Sequence, residues 1–321
     1  MNDKPLKTNA MKTKVFFIAL LVLSFLCFTV VAQTGQGPSK KISLTKKTDT
    51  QTQTAQPGMR GSGDPTKGLG ITEEVPDELT FGDYYAFIIG IDKYTGKWPT
   101  LTNAVRDAKT IEQTLKSSYK FDHFKTLYDG DATKANIVTE LEWLMNNIKE
   151  NDNVLIYYSG HGEYNQLMDK GFWVPVDAIS ASTLDLLSNN DLQAYLNGIK
   201  SKHTLLISDA CFSGDIFRGS AIQKEFEDTP KYYREVNSMA SRKAITSGGI
   251  EPVMDGGSDG HSIFAYWLLK TLNDNKKPFI DATEVYQSIM IPVINNSEQR
   301  PEFHPIKNTG DAGGQFIFRK K

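Results

Sequence analysis

Cysteine is scarce in this chain, since only Cys27 and Cys211 occur among its 321 residues. That scarcity excludes a disulfide scaffold and any zinc or iron–sulfur site that needs several cysteines. The chain also lacks an excess of charge, because 36 basic residues face 38 acidic ones and the net charge is −2. A near-neutral balance argues against nucleic acid as a partner, because nucleic-acid-binding proteins usually present a basic face.

Aromatic residues are absent from residues 33–80, where Thr, Gln, Gly, Lys and Pro dominate. Such a stretch cannot bury enough apolar surface to offset the entropy of ordering, so it predicts a disordered linker. Before it lies an apolar run over residues 15–31, preceded by four basic residues: Lys4, Lys7, Lys12 and Lys14. This pattern predicts a signal peptide over 1–32. An uncleaved membrane anchor is the alternative. In either case we expect an exported protein, periplasmic, secreted or tethered to the membrane through that segment alone.

The pattern of apolar residues over 81–321 predicts one folded domain. Apolar runs of strand length cover 84–91, 124–128, 154–158, 204–207 and 244–246. Helical spacing of apolar residues marks 101–115, 137–148, 263–272 and 282–291. This alternation predicts an α/β domain with a mostly parallel central β-sheet and helices on both faces. Ligands of such sheets bind beyond the carboxyl ends of the strands.

Two short motifs follow apolar strands at those ends. The first is YYSGHG over 157–162, which contains His161, and the second is SDACFSG over 208–214, which contains Cys211. A thiolate is a nucleophile, and a neighbouring imidazole can activate it and then protonate a leaving amine. Removal of the signal peptide would leave Cys211 as the single thiol of the mature chain. The alternative is a buried structural cysteine.

These motifs resemble those of the caspase-like cysteine peptidases, the clan that includes caspases, paracaspases and metacaspases. The resemblance runs from Tyr84 to about Phe318 and includes NAVRDA over 103–108, with QRP over 299–301 and GGQF over 313–316 as in bacterial members. It implies a caspase-like three-layer sandwich, a catalytic dyad of His161 and Cys211, and hydrolysis of peptide bonds. The backbone N–H groups of Gly162 and Cys211 are the oxyanion donors that the resemblance implies.

Asp107 and Asp209 bear on specificity. Asp209 lies two residues before Cys211, and a carboxylate beside a thiol disfavours the thiolate unless a cation compensates. The resemblance to metacaspases implies that both carboxylates shape an acidic pocket for Arg or Lys at P1, and that Ser247 lines the substrate groove. The plainer alternatives are that Asp107 pairs with Arg106 or Lys109, and that Asp209 hydrogen-bonds its own loop.

No cofactor is expected, and calcium is the alternative that the resemblance to metacaspases raises. The stretch SNND over 188–191 carries one carboxylate, fewer than calcium usually takes, and three others in that region are scattered, namely Asp169, Asp177 and Asp185. The polar segment 215–243 is rich in Arg and Lys, which suggests self-processing there. The alternative is an exposed, solvated loop.

The sequence thus predicts an exported cysteine endopeptidase that acts on a peptide or protein substrate and cuts after Arg or Lys. Three alternatives stay open. They are a catalytically silent interaction module with the same fold, a peptidase that cuts after Asp, and an acyl-transfer enzyme or ligase that uses the same dyad.

Overall fold

The computed structural model of the protein describes residues 79–210, 216–217, 229–248 and 258–321. The predicted signal peptide, almost all of the predicted linker, and Cys211 lie outside these residues. Within the described ranges no helix has both the length and the apolar character needed to cross a lipid bilayer.

The core is a six-stranded sheet in the order β10-β8-β7-β3-β1-β2, parallel except for the antiparallel edge strand β10. The elements of the chain are β1 (Tyr84–Gly90), α1 (Ala104–Ser118), β2 (His123–Tyr128), α2 (Lys134–Asn147), β3 (Asn153–Ser159), β4 (Gly162–Asn165), β5 (Lys170–Trp173), β6 (Leu187–Ser188), α3 (Asn189–Gly198), β7 (His203–Asp209), α4 (Pro230–Ser238), β8 (Ser241–Thr246), α5 (Ile263–Asp274), β9 (Phe279–Asp281), α6 (Ala282–Asn296), β10 (Glu302–Pro305) and β11 (Ile317–Arg319).

Helices cover both faces of this sheet. On one face α1, α5 and α6 pack against side chains such as Ile88 and Ile207, and on the other α2 and α3 pack against Phe87 and Leu206. Strands buried on both faces read as continuous apolar runs, which is why β1, β3 and β7 stand out in the sequence. The predicted three-layer α/β architecture with a mostly parallel sheet is confirmed.

Several short strands do not show an apolar run in the sequence. Strands β4, β5 and β6 form a small antiparallel sheet after the HG motif, and β9 pairs with β11. Strand β4 reads GEYN and is half-buried along its whole length, so it shows neither an apolar run nor alternation. Its structure comes from pairing with β5.

The exposed-loop interpretation of 215–243 is wrong for its last part. Residues Pro230–Ser238 form α4, which begins with the hydroxyl of Thr229 accepting a hydrogen bond from the N–H of Tyr232. One side of this helix buries Tyr232, Tyr233 and Val236. Its polar residues occupy the other side, which is why composition alone suggested a loop.

Arg242 and Lys243 are buried in β8 and cannot serve as exposed cleavage sites. The Arg242 guanidinium donates hydrogen bonds to the carbonyl oxygens of Leu196, Ile199 and Ser201, and these acceptors compensate for its burial. Of the basic residues earlier in the segment, Arg218 and Lys224 lie outside the described residues. Self-processing, as predicted, would therefore have to fall before β8.

Candidate active site

The carboxyl ends of the neighbouring parallel strands β3 and β7 bring the two sequence motifs together. Ser159, the last residue of β3, lies opposite Asp209, the last residue of β7. The N–H of Gly160 also donates to the carbonyl oxygen of Asp209 at 3.4 Å. His161 follows β3 by two residues, and Cys211 follows β7 by two residues in the sequence, outside the described part of the chain.

The imidazole of His161 is held through one ring nitrogen. Its Nε2 lies 2.8 Å from the carbonyl oxygen of Pro99. Since a carbonyl oxygen only accepts hydrogen bonds, Nε2 carries the proton of this contact. In the neutral imidazole, Nδ1 is then the basic nitrogen, and it is the one that can exchange a proton with a thiol.

The hydroxyl groups of two tyrosines hydrogen-bond to the backbone of His161. Its N–H donates to the hydroxyl of Tyr94 at 2.7 Å, and its carbonyl oxygen accepts from the hydroxyl of Tyr158 at 2.7 Å. The Tyr158 ring stacks on Trp173 at a centroid distance of 4.2 Å. Burial raises the pKa of Tyr94 far above its usual value, so its hydroxyl stays protonated. A Cβ atom at Gly160 would lie only 2.6 Å from that hydroxyl, which explains the glycine before the histidine.

Gly162 begins β4 opposite Trp173 of β5. The preceding pair is hydrogen-bonded, since the N–H of Val174 donates to the carbonyl oxygen of His161 at 3.1 Å. Hydrogen-bonded and non-hydrogen-bonded pairs alternate in an antiparallel ladder. The N–H of Gly162 therefore faces away from β5, as an oxyanion donor would need to.

Asp107 and Asp209 meet beneath the start of α5, and we call this group the acidic pocket. Asp107 lies in the first turn of α1, and both carboxylates are buried. Ser262 links them, because its N–H donates to Oδ2 of Asp107 at 3.1 Å and its hydroxyl donates to Oδ2 of Asp209 at 2.5 Å. His261 donates from Nδ1 to Oδ1 of Asp107 at 2.5 Å. The structure thus brings the two predicted carboxylates to one place.

Ser247 points to the same face of the sheet as Asp209. It directly follows β8, and its N–H donates to the carbonyl oxygen of Ser208 at 3.0 Å. Strand residues alternate between faces, so Ser247 shares the face of Ile245 and Asp209 the face of Ile207, both packed with α5. The Ser247 hydroxyl is fully buried, and it has no hydrogen-bond partner within the described part of the chain.

Tyr157 of β3 lies beside the same carboxylates. Burial, and then the charges of Asp209 and Asp107, raise the pKa of Tyr157 well above its usual value. The phenol is therefore neutral at physiological pH. It supplies a polar but uncharged wall for the acidic pocket.

Sequence reasoning missed four residues of the site: Tyr94, Pro99, His261 and Ser262. Pro99 acts through its main-chain carbonyl, and Tyr94 reaches His161 only through the fold, so neither left a signal in the sequence. Ser262 did leave one, because a serine directly before an apolar run is a typical helix N-cap. His261 was passed over since it lies at no metal-ligand spacing.

The carboxylates considered for calcium accept hydrogen bonds from the protein itself. Asp177 accepts a hydrogen bond from the N–H of Lys134, Asp185 from Ser180, and the hydroxyl of Ser188 donates to Asp191. Within the described residues no three His, Cys, Asp or Glu side chains are grouped so that they could hold a metal ion.

Several known proteins with similar sequences are metacaspases. Metacaspase-1 of Plasmodium falciparum is 26% identical over 72% of this chain and 44% of its own length. Metacaspase-1 of Ajellomyces capsulatus is 27% identical over 47% of this chain and 48% of its own, and metacaspase-6 of Arabidopsis thaliana is 29% identical over 41% and 38%. The chain thus spans about half of these relatives, or less.

A solved structure supports the fold alone. A crystal structure of a Geobacter sulfurreducens protein superposes with a TM-score of 0.50 at 16% sequence identity, over 73% of this chain and all of that one. The sequence model of the caspase domain, a peptidase family, matches residues 83–311, which is most of the chain. The match includes β1 to β10, the helices α1 to α6 and His161. The chain belongs to the caspase domain family.

Proposed function

We propose that the protein is an exported cysteine endopeptidase that cuts peptide bonds after Arg or Lys. Membership of the caspase domain family supports the peptidase class. The observation that carries the dyad is the pairing of Ser159 with Asp209, since this register sets the His161 loop beside the strand that leads to Cys211. Export is supported by the apolar run over 15–31 and the small residues that follow it.

The proposed reaction is acyl transfer in two halves. Nδ1 of His161 takes the proton of the Cys211 thiol, and the sulfur attacks the carbonyl carbon of the scissile bond. The N–H groups of Gly162 and Cys211 bind the oxyanion. The imidazolium then gives its proton to the leaving amine as the C–N bond breaks. Water, deprotonated by His161, attacks the thioester, which releases the new carboxyl end and restores the thiol.

The acidic pocket supports a basic P1 side chain. Two buried carboxylates that hydrogen-bond to the same serine, one to its N–H and one to its hydroxyl, attract a cation strongly because little water screens them. A guanidinium or an ammonium ion can supply that charge together with several hydrogen-bond donors. An aspartate side chain at P1 would instead be repelled.

A peptide library varied at P1 tests this function. We expect the purified protein to turn over Arg and Lys peptides at least about a hundredfold faster than Asp peptides, because burial of a like charge beside Asp107 or Asp209 costs several kcal/mol. Initial rates of a fluorogenic leaving group give the ratio. Rapid cleavage after Asp would contradict the pocket. Absence of all turnover, with calcium and reductant present, would favour an interaction module.

Tyr94→Phe tests the support of His161. The loss of the hydroxyl leaves the N–H of His161 without its acceptor, which costs about 1–3 kcal/mol and loosens the imidazole. We therefore expect kcat to fall about tenfold while KM changes less, as measured with the best P1 peptide. Tyr195→Phe, a half-exposed tyrosine of α3, is the matched control. An unchanged kcat in Tyr94→Phe would show that the hydroxyl does not position the histidine.

A further inference from the structure

Donors of the chain itself already occupy the acidic pocket. Both oxygens of Asp107 accept hydrogen bonds, one from His261 and one from Ser262, and Asp209 accepts the Ser262 hydroxyl. The side chain of Asp107 is 0% exposed. A basic P1 side chain that uses Asp107 must therefore either share an oxygen that already accepts a hydrogen bond or displace the donor that holds it.

Ser262 is fixed where it stands. It is the N-cap of α5, and its hydroxyl accepts a hydrogen bond from the N–H of Ala265 at 3.0 Å. Its own N–H to Asp107 is a main-chain contact, so it cannot leave unless the helix start moves with it. Ser262 therefore keeps its place beside Asp107 when a ligand enters the pocket.

His261 is free to move by comparison. Its contact with Asp107 is made by the side chain alone, which is 15% exposed, so the contact can open without a movement of the main chain. The two residues before it are held in place, since Asp259 and Gly260 have positive φ and Arg106 donates to the Gly260 carbonyl oxygen at 3.2 Å. Gly260 has a φ of +76°, a conformation that disfavours residues with a Cβ atom, so glycine is needed at this position.

The His261 imidazole and the cationic side chain of the substrate compete for Asp107, and their difference in charge favours the substrate. Burial, and then the neighbouring Arg106 guanidinium, lower the pKa of His261, so the imidazole on Asp107 is neutral at physiological pH. The neutral imidazole brings no charge to the carboxylate, whereas a guanidinium adds the attraction of an opposite charge in a site that little water screens. A guanidinium that enters the pocket can therefore displace the imidazole.

The far side of the pocket offers an acceptor that the chain itself leaves unused. The buried Ser247 hydroxyl lies on the face of the sheet that carries Asp209, and it lacks a hydrogen-bond partner among the described residues. An unsatisfied buried hydroxyl lowers stability, so such a group points to a bound polar ligand. A guanidinium has five N–H donors, enough for this hydroxyl and a carboxylate together.

We propose that His261 is a specificity-determining residue, an internal competitor that holds the Asp107 oxygen needed by a basic P1 side chain and releases it when that side chain binds. This inference rests on the proposed preference for Arg and Lys, and it names His261 as the side chain that competes with the substrate for Asp107. His261 acts through Asp107 and touches no reacting atom in this scheme.

Two variants of His261 test the competition through a KM-against-kcat split. His261→Ala removes the competing donor, so KM for Arg and Lys peptides is expected to fall about five- to tenfold with a smaller change in kcat. In His261→Asn the amide nitrogen is separated from Cα by the same number of bonds as Nδ1 of histidine, so it can donate to Asp107 in the same way. The KM of this variant should therefore stay close to that of the unmodified protein. A merely structural role would instead raise KM or lower kcat in both variants.

A binding measurement separates this proposal from the proposed function. Agmatine, which carries a guanidinium, is titrated calorimetrically into the Cys211→Ala protein with and without His261→Ala. We expect the Kd to tighten by the same five- to tenfold. His123→Ala is the control, because His123 also contacts a carboxylate, that of Asp83 at 3.3 Å, at the start of β2.

The outcomes are distinct. If the unmodified protein cleaves basic peptides but His261→Ala leaves both KM and the agmatine Kd unchanged, or raises them, the competitor role is wrong and the acidic pocket stands. If the protein cleaves other peptides and neither protein binds agmatine, the preference for basic residues fails, and the role of His261 fails with it.

Discussion

Replacement of Cys211 with alanine is expected to lower kcat/KM on the best peptide by at least a factor of about a thousand. The alanine protein lacks the proposed nucleophile, so only the proposed oxyanion donors and substrate binding remain. His161→Ala removes the proposed general base and acid, a contribution that is typically about 10²- to 10⁴-fold. Steady-state rates for each protein, with folding checked by thermal melting, give both ratios.

The double variant makes this prediction sharper. Residues that act as one catalytic unit are not additive, so Cys211→Ala with His161→Ala should be about as slow as Cys211→Ala alone. Alkylation by iodoacetamide at neutral pH should also slow in His161→Ala, because the thiolate loses its partner. His123→Ala is the matched control for loss of a histidine. Full activity of Cys211→Ala would assign the chemistry to another residue.

The sheet was predictable because each central strand is buried on both faces. The runs of β1, β3 and β7 carry only apolar or small residues over most of their length, as strands covered on both faces do. Helices α1 and α5 were predictable for a related reason, since their apolar residues recur along one face. These signals are local to each element.

The rest depends on partners far apart in sequence. Strand β8 contains Arg242 and Lys243, and its burial follows only from carbonyl acceptors on other elements, such as Gly314 for the Lys243 ammonium group. Helix α4 buries two tyrosines against β9 and β11, including Tyr233 against Phe279. A polar composition cannot show such compensation, so the first half of β8 and the whole of α4 read as loop.

The candidate site shows the same division. The position of His161 followed from a motif at the end of a strand, and the two aspartates were assigned through the resemblance to metacaspases. The groups that hold them, the Pro99 carbonyl and the His261 imidazole, reach the site across 62 and 154 residues of chain. Contacts of that range are set by tertiary packing, and residue type alone does not encode them.

Substitution of either pocket carboxylate by its amide is expected to abolish the preference for basic residues. Asp209→Asn and Asp107→Asn each remove one negative charge while they keep the shape and one acceptor oxygen for Ser262. The loss of one partner of a buried ion pair costs about 3–5 kcal/mol, so kcat/KM for Arg and Lys peptides should fall at least about a hundredfold. Peptides with a neutral P1 residue should change far less.

The ratio of Arg to Gln turnover at P1 is the quantity that separates binding of the cation from a general defect. Asp185→Asn is the matched control, because Asp185 is a surface carboxylate whose contacts are to Ser180. A variant that merely misfolds would lose both substrates together, and its melting temperature would drop. An unchanged Arg-to-Gln ratio in folded Asp107→Asn and Asp209→Asn would show that the two carboxylates only secure the start of α5, and that specificity comes from elsewhere.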